Sequence, residues 1–364
     1  MSTQRSNTET AHPPSAVVAV CGASGSGKTT LLEQAIPALV QAGLRVAVIK
    51  HCGHELEIDR AGKDSDRLFR AGAEVAVQCP GQIVLRRHAT PMDDLPLLIA
   101  RLAADHDVVL VEGHKSTPLP KLWLTGKDDA GVPSEALNVC AVLPWEGQRL
   151  PVFVEWVQRQ LRGALSSRPV YAGILIGGSS SRMGRPKAFL PCEGTTLLDR
   201  IASRVRQRIP HAYLIGDGPV PQLDQPLARI PDAPDSSGPL AGVLAALRWA
   251  PSAAWLMLAC DLPRLQTVAL DWLLGQRAPG RWVVLPRLSP EGVEPLFALY
   301  EPQIRGVLDG YAARGITSLQ ELTRERAVHA PLIPSELRAC WTDVDTPEQL
   351  DRLRDDDPPP RTGT

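Results

Sequence analysis

Two glycine-rich segments have the residue types and spacing of phosphate-binding loops. The first reads G-A-S-G-S-G-K-T at residues 22–29, and the second reads L-I-G-G-S-S-S-R-M-G-R-P-K at residues 175–187. Glycines allow backbone N–H groups to converge on phosphate oxygens, and basic side chains balance the phosphate charge. Each segment follows an apolar stretch typical of a buried strand. Each loop can therefore hold a nucleotide by itself.

The first loop fits the pattern G-x-x-x-x-G-K-[ST] in full. Residues 16–21 are valine-rich and predict a buried strand, and residues 30–40 carry the apolar periodicity of a helix. This strand, loop and helix order is the context that supports the motif. The Lys28 amino group is expected to reach the β- and γ-phosphates, and the Thr29 hydroxyl is expected to reach Mg²⁺. The alternative is a glycine-rich turn without a ligand.

Two acidic segments are candidates for the terminal-phosphate side of that nucleotide. Residues 107–113, D-V-V-L-V-E-G, predict a strand ending in Glu112, where a phosphate-loop protein places its metal-side acid. Aspartate is the usual residue there, and a solvated acid is the alternative. Asp59 belongs to a polar loop before residue 65 that can become ordered around a γ-phosphate. A polar surface loop is the other interpretation.

The second loop carries the groups needed for transfer of a nucleotidyl group. Arg182 and Lys187 can neutralise charge that develops on a departing pyrophosphate. Downstream, the apolar stretch W-L-M-L-A-C-D-L-P predicts a strand that ends at Asp261. The carboxyl end of such a strand faces the ligand crevice of an open α/β sheet, and carboxylates with phosphate oxygens suit Mg²⁺. A turn acid is the alternative for Asp261 alone.

Alternating strands and helices are expected to position both loops. The predicted elements of the first half are strands at 44–50, 74–78 and 108–111 and helices at 94–104 and 152–165. Those of the second half are strands at 170–176, 212–215, 255–259 and 283–285. Both halves are therefore predicted to be α/β with mostly parallel sheets. The expected division is disorder at 1–14 and 355–364, domains at 15–165 and 170–354, and a linker containing the serine pair at 166–169.

Composition excludes several classes of protein. The 364 residues are 44% hydrophobic, which is enough for two cores, and the net charge of −1 gives no attraction to nucleic acid or an anionic membrane. The 7 cysteines are scattered without a C-x-x-C pair, which is typical of a reducing cytosol. No signal peptide or membrane-spanning stretch is evident, so a cytoplasmic location is expected.

The first half resembles the MobB-type GTPase family, the adaptor of molybdopterin-guanine dinucleotide biosynthesis. Four motifs carry this resemblance over residues 15–165: G-A-S-G-S-G-K-T-T-L-L-E, R-V-A-V-I-K-H-C-G-H, D-R-A-G-K-D-S-D-R and V-V-L-V-E-G-H-K with P-L-P-K. The family implies a P-loop NTPase fold, GTP binding, weak hydrolysis and partnership with a guanylyltransferase. The candidate GTP-binding residues are Gly22, Gly25, Ser26, Gly27, Lys28, Thr29, Thr30, Asp59 and Glu112, with Thr29 also a metal ligand.

The second half resembles the MobA-type molybdenum cofactor guanylyltransferases over residues 170–355. The loop L-I-G-G-S-S-S-R-M-G-R-P-K, the segments G-P-L-A-G and C-D-L-P, and E-P-L-F-A-L-Y at 294–300 carry this resemblance. Ile176 and Pro186 depart from the opening motif, and Asp343 and Asp345 replace two asparagines near the end. The family implies a Rossmann-like nucleotidyltransferase fold. The implied GTP-binding residues are Leu175, Ile176, Gly177, Gly178, Lys187, Asp232 and Asp261, with Arg182, Lys187 and Asp261 catalytic and Asp261 on Mg²⁺.

A cluster of His51, Cys52 and His54 offers a third kind of chemistry. Histidine and cysteine are ligands of Zn²⁺ and Ni²⁺. Three ligands within four residues of one loop rarely complete a site alone, and no second cluster supports them. The family is also histidine-rich here, while Cys52 and Gly53 depart from it.

The combined expectation is a fused molybdenum cofactor guanylyltransferase that uses GTP, Mg²⁺ and molybdopterin. It would form molybdopterin guanine dinucleotide and pyrophosphate, while the first domain binds GTP and assists transfer. Molybdoenzymes and their chaperones are further expected partners. Two alternatives remain: a cytidylyltransferase of the same fold, although Gly177 and Gly178 favour guanine, and a GTPase adaptor or metallochaperone whose second half only binds.

Overall fold

The computed structural model describes residues 15–52, 59–127, 131–177, 186–192 and 194–344. The segments 1–14 and 355–364, which the sequence predicts to be disordered, lie outside the described residues. So do the candidate site residues His54, Gly178 and Arg182, and also Asp345. No helix in the described ranges is both long enough and apolar enough to cross a bilayer.

The first half contains a five-stranded sheet in which every pairing is parallel, in the order β2-β5-β1-β6-β7. Helices α1 and α4 cover one face of this sheet through an apolar cluster, and α3 covers the other. The elements are β1 (Ala16–Gly22), α1 (Lys28–Gln41), β2 (Val46–Lys50), α2 (Asp64–Arg70), β3 (Val75–Cys79), β4 (Gln82–Arg86), α3 (Leu95–Ala103), β5 (Val108–Glu112), β6 (Lys121–Leu124), β7 (Val139–Leu143) and α4 (Arg149–Ser167).

The predicted strand at 74–78 is present as β3 but does not join the main sheet. It pairs antiparallel with β4, which the sequence analysis did not identify, in a separate two-stranded hairpin. The turn between them is Pro80 and Gly81; proline fixes φ at the first position, and Gly81 takes a φ of +77°. A Pro-Gly pair between two β-branched stretches was the overlooked signal.

The second half contains a seven-stranded sheet in the order β12-β11-β8-β13-β15-β14-β16, in which β15 runs antiparallel to both neighbours. Helices α5 and α7 pack on one face, and α6 and α8 pack on the other. The elements are β8 (Val170–Leu175), β9 (Pro191–Cys192), β10 (Thr195–Thr196), α5 (Leu197–Arg206), β11 (Ala212–Ile215), β12 (Ala228–Ile230), α6 (Gly238–Trp249), β13 (Ala254–Ala259), α7 (Thr267–Leu274), β14 (Val283–Val284), β15 (Phe297–Tyr300), α8 (Arg305–Ala313) and β16 (Val328–His329), with 3₁₀ turns at Lys187–Phe189, Pro302–Ile304, Leu319–Arg324 and Ser335–Trp341.

The serine pair predicted to lie in a linker is helical. Helix α4 runs through Ser166 and Ser167, and the Ser167 hydroxyl donates a hydrogen bond to the carbonyl of Ala164, 3.1 Å away. The helix stops because Pro169 disfavours helical backbone at Arg168, whose ψ is 126°. Only two residues therefore separate α4 from β8, and the division into domains at this point stays a prediction.

Buried polar contacts join the two halves beside this junction. The guanidinium of Arg168 pairs with Glu301, and the Arg277 Nε lies 2.7 Å from the same carboxylate. The Glu301 side chain is only 2% exposed. At a second point, Asp107 accepts hydrogen bonds from the Trp282 indole at 2.9 Å and from a backbone N–H at 2.8 Å. Burial nevertheless raises the pKa of the Asp107 carboxyl.

Glu301→Ala is expected to lower the free energy of unfolding by about 3–5 kcal/mol, because it leaves two buried guanidinium groups without their counter-charge. Urea denaturation followed by circular dichroism measures this change. The matched control is Glu155→Ala, whose ion pair with Arg159 is 68% and 65% exposed, so a shift below about 0.5 kcal/mol is expected there. Equal shifts for the two variants would contradict a stabilising contact at the junction.

Candidate nucleotide sites

The first phosphate loop lies between the end of β1 and the start of α1. Gly25 and Gly27 take φ values of +76° and +86°, which side chains rarely adopt. A Cβ on Gly22 would lie 2.3 Å from the carbonyl oxygen of Leu124, so glycine is also required there by close packing. The Lys28 amino group donates to the carbonyls of Gly22 at 3.0 Å and of the next residue at 2.7 Å. The ammonium therefore lies over the loop.

The acid expected on the metal side lies beside this loop. Strand β5 neighbours β1, and its last residue, Glu112, accepts a hydrogen bond from the Thr29 hydroxyl at 3.0 Å. Lys50, at the end of β2, lies 3.6 Å from the same carboxylate. A hydroxyl and a carboxylate oxygen are hard donors of the kind that Mg²⁺ prefers, so the residues present fit that ion.

Asp59 lies in another environment. Its carboxylate is 4.0 Å from the guanidinium of Arg86, at the end of the β3–β4 hairpin. Asp66, on α2, organises this region: it accepts from the Gly62 N–H and from Arg70, which together lower its pKa to about 2. The assignment of Asp59 to the nucleotide site stays a prediction.

Arg149 is a residue near the loop that the sequence analysis missed. It is the first residue of α4, and its guanidinium donates to the carbonyls of Ser26 at 2.7 Å and Thr125 at 2.6 Å. It also donates to the carbonyl of Pro144 at 2.6 Å. A cation is unfavourable at a helix N-terminus, and burial lowers its pKa. The sequence signal for this role was an arginine at the start of a helix, where a positive charge is unfavourable.

The histidine and cysteine cluster is only partly within the described residues. The rings of His51 and His114 lie 4.7 Å apart, and burial followed by the charge of His51 lowers the pKa of His114. Cys52 is exposed. Across the described ranges, no group of three or more histidine, cysteine or acidic residues is arranged to hold a metal ion.

The residues of the second candidate site lie at the carboxyl ends of β8 and β13. The Lys187 amino group lies 2.8 Å from the Asp261 carboxylate, and the two side chains are 20% and 16% exposed. The N–H of Val344 donates to the Asp261 carbonyl at 3.1 Å, which brings the chain around residue 343 to the same place. The structure thus brings together three segments that are more than 70 residues apart.

Asp232 lies near two glycines that follow β8 and β11. A Cβ on Gly216 would lie 3.2 Å from its carboxylate, and one on Gly177 would lie 3.9 Å from it. Burial, followed by the charge of Asp217, raises the pKa of Asp232. The Ser236 hydroxyl is buried and has no hydrogen-bond partner in the part of the chain that is described. A buried hydroxyl without a partner is consistent with a polar ligand near Ser236.

Leu175 is the last residue of β8, and Ile176 follows it. The Ile176 N–H donates to the carbonyl of Ile215 at 3.0 Å, and the Leu175 carbonyl accepts from Cys260 at 3.2 Å. Glu294 is an additional acid that the sequence analysis did not single out. Burial and then the charge of Asp343 raise its pKa.

Family models match both halves of the chain. Molybdopterin guanine dinucleotide synthesis protein B matches residues 17–145, and the MobA-like NTP transferase domain matches residues 172–330. A "Probable molybdopterin-guanine dinucleotide biosynthesis adapter protein" of Bacillus subtilis is 34% identical over 167 residues, covering 41% of the chain and 95% of that protein. A "Probable molybdenum cofactor guanylyltransferase" of Opitutus terrae is 31% identical over 193 residues, covering 50% of the chain and 93% of that protein. The chain belongs to both families.

The expected fusion is confirmed. A MobB-type adapter domain with a P-loop fold precedes a MobA-type nucleotidyltransferase domain, and both are α/β. The molybdopterin-guanine dinucleotide biosynthesis adapter protein of Haemophilus influenzae is 40% identical over 113 residues, which cover 30% of the chain. The chain spans 62% of the length of that relative.

Proposed function

We propose that the transferase domain moves GMP from GTP to the terminal phosphate of molybdopterin, releasing pyrophosphate. The observation that carries the proposal is the 2.8 Å contact between Lys187 and Asp261 at the carboxyl ends of the strands. A cation and an acid at that edge suit a triphosphate with its metal. Relatives of this domain are named molybdenum cofactor guanylyltransferases, which supports molybdopterin as the acceptor.

The proposed reaction is an in-line attack of the acceptor phosphate on the α-phosphorus of GTP. Lys187 neutralises charge on the departing pyrophosphate, and Arg182 is proposed to assist it. Asp261 would hold Mg²⁺, which offsets the negative charge of the triphosphate when bound. Leu175, Ile176, Gly177 and Gly178 would line the nucleotide. Positioning and charge neutralisation therefore supply most of the rate enhancement, since no covalent enzyme intermediate is needed.

The guanine end of GTP is proposed to lie near Asp232. Gly216 and Gly177 leave room for this carboxylate, whose raised pKa reflects burial. A carboxylate accepts hydrogen bonds, and guanine presents N–H donors along one edge. Cytosine presents a single amino group, so this environment and the Gly177–Gly178 pair favour GTP over CTP.

The adapter domain is proposed to bind a second GTP and hydrolyse it weakly. The phosphates would be surrounded by backbone and hydroxyl groups of the loop, from Gly22, Gly25, Ser26, Gly27 and Thr30. Lys28 would neutralise the β- and γ-phosphates. Thr29 and Glu112 would hold Mg²⁺, because their oxygens lie 3.0 Å apart beside the loop. Molybdoenzymes and their chaperones are the proposed partners of the chain. The proposed location is the cytoplasm.

Pyrophosphate release by the full chain tests the proposed transfer. Release that requires both molybdopterin and GTP, and that falls strongly when CTP replaces GTP, is expected. Preference for CTP would favour a cytidylyltransferase. No acceptor-dependent release with either nucleotide would leave the GTPase adaptor as the better account.

Glu112→Gln is expected to weaken the Mg²⁺-dependent part of GTP binding in the adapter domain by about 10-fold or more, because an amide lacks the charge that holds the ion. Calorimetric titration of GTP with and without Mg²⁺ measures the difference. Glu135→Gln is the matched control, since Glu135 is 53% exposed and pairs with Lys115 elsewhere. Unchanged Mg²⁺ dependence in Glu112→Gln would assign the metal to other residues.

A further inference from the structure

Trp145 is an exposed tryptophan in the segment between β7 and α4. It lies two residues after the end of β7, and 43% of its surface is exposed. An indole exposed to this extent presents a large aromatic face on which a planar ligand can stack. Among the described residues, Trp249 is the other exposed tryptophan, at 59%, and it lies at the end of α6 in the transferase domain.

One guanidinium links Trp145 to the phosphate loop. Arg149 Cζ lies 5.4 Å from the centre of the Trp145 ring, within the range of a cation–π contact. The same guanidinium donates to Ser26 in the loop and to Thr125 after β6. The position of the indole is thus tied to the loop that would hold the phosphates.

The orientation of a nucleotide in this domain follows from the strand order. Glu112 and Thr29 mark the metal side, toward β5 on one flank of β1. The terminal phosphates would lie on that side, because Thr29 and Glu112 would hold the ion that accompanies them. The nucleoside must then extend to the opposite flank of β1, where β6 and β7 end. Trp145 follows β7, the last strand on that flank of the sheet.

We propose that the indole of Trp145 is the stacking face for the nucleobase in the adapter domain, with Arg149 as the positioning residue behind it. This rests on the GTP-binding role proposed above for the domain. Aromatic stacking accepts any flat base, so Trp145 is assigned to affinity rather than to the choice of guanine. The Arg149 guanidinium connects the base end of the site with the phosphate end.

The test distinguishes the contribution of the base to binding from the contribution of the phosphates. The full chain is titrated with GTP and with inorganic tripolyphosphate in Mg²⁺, and the adapter site is the binding that Lys28→Ala removes. Trp145→Ala is expected to weaken GTP at this site by roughly 5- to 100-fold while tripolyphosphate affinity is unchanged. Trp145→Phe keeps an aromatic face and is expected to stay within about 5-fold of the unmodified chain. Trp249→Ala is the matched control and should alter neither ligand.

Each other outcome overturns the assignment. Unchanged GTP affinity in Trp145→Ala would mean that the indole does not touch the base, as for a surface that contacts another protein. Equal weakening of GTP and tripolyphosphate would mean that Trp145 only supports the loop. If the unmodified chain shows no Lys28-dependent binding of either ligand, the GTP-binding role itself fails, and the stacking role fails with it.

Discussion

Replacing Asp261 with alanine is expected to lower guanylyl transfer by about 10²–10³-fold, the cost of losing one well-placed charge stabiliser. The acceptor phosphate and the triphosphate are both anionic, so their approach is repulsive. Asp261 is the strand-end acid that would hold the compensating ion, and Lys187 lies 2.8 Å from it. Without the carboxylate, Lys187 loses its ion pair with Asp261, and the residue that would hold the ion is gone. Pyrophosphate release at saturating GTP and Mg²⁺ measures the change.

The matched control for this prediction is Asp271→Ala. Asp271 lies on the surface of α7, where it is 47% exposed and pairs with Arg208, so the transfer rate should not change. Both variants should show the same circular dichroism spectrum as the unmodified chain, which establishes that they are folded. A rate for Asp261→Ala within about threefold of the unmodified chain would move the metal site elsewhere, with Asp232 the next candidate.

Lys28→Ala is expected to abolish GTP binding by the adapter domain and to leave transfer by the other domain measurable. The Lys28 amino group lies over the loop, 3.0 Å and 2.7 Å from two of its carbonyls. Its removal takes away the cation that balances the terminal phosphates, a loss of about 2–3 kcal/mol or more for a charged hydrogen bond. Titration with GTP should therefore show one binding event fewer than in the unmodified chain.

Lys115→Ala is the control for the loss of a lysine. Lys115 is 53% exposed and pairs with Glu135, and its removal should leave both binding events in place. Retention of both events in Lys28→Ala would show that the first loop does not bind the phosphates. Loss of both would indicate that the two nucleotide sites depend on each other.

Local patterns in the sequence were sufficient to predict the parts of the fold that depend on neighbouring residues. The strand and helix around the first loop, α3, α4 and β13 lie within a few residues of their predicted positions. The strand-end position of Glu112 also followed from periodicity, because an apolar stretch with a terminal acid is a local signal. Parallel pairing followed from the alternation of strands and helices.

Features that depend on tertiary contacts were missed. Arg149 reaches Ser26 across 123 residues, and Trp282 reaches Asp107 across 175 residues, distances over which no local pattern carries information. The helical state of Ser166 and Ser167 was missed for a different reason. Serine favours turns when it is considered alone, but the packing of α4 against the sheet extends the helix to Ser167.

The fate of the α-phosphorus of GTP tests the central proposal most directly. The full chain is incubated with molybdopterin, Mg²⁺ and GTP labelled at either the α- or the γ-phosphorus. The account predicts α-label in a pterin dinucleotide and γ-label in pyrophosphate. Appearance of γ-label in inorganic phosphate, with no α-label joined to the pterin, would show GTP hydrolysis without transfer and would contradict it.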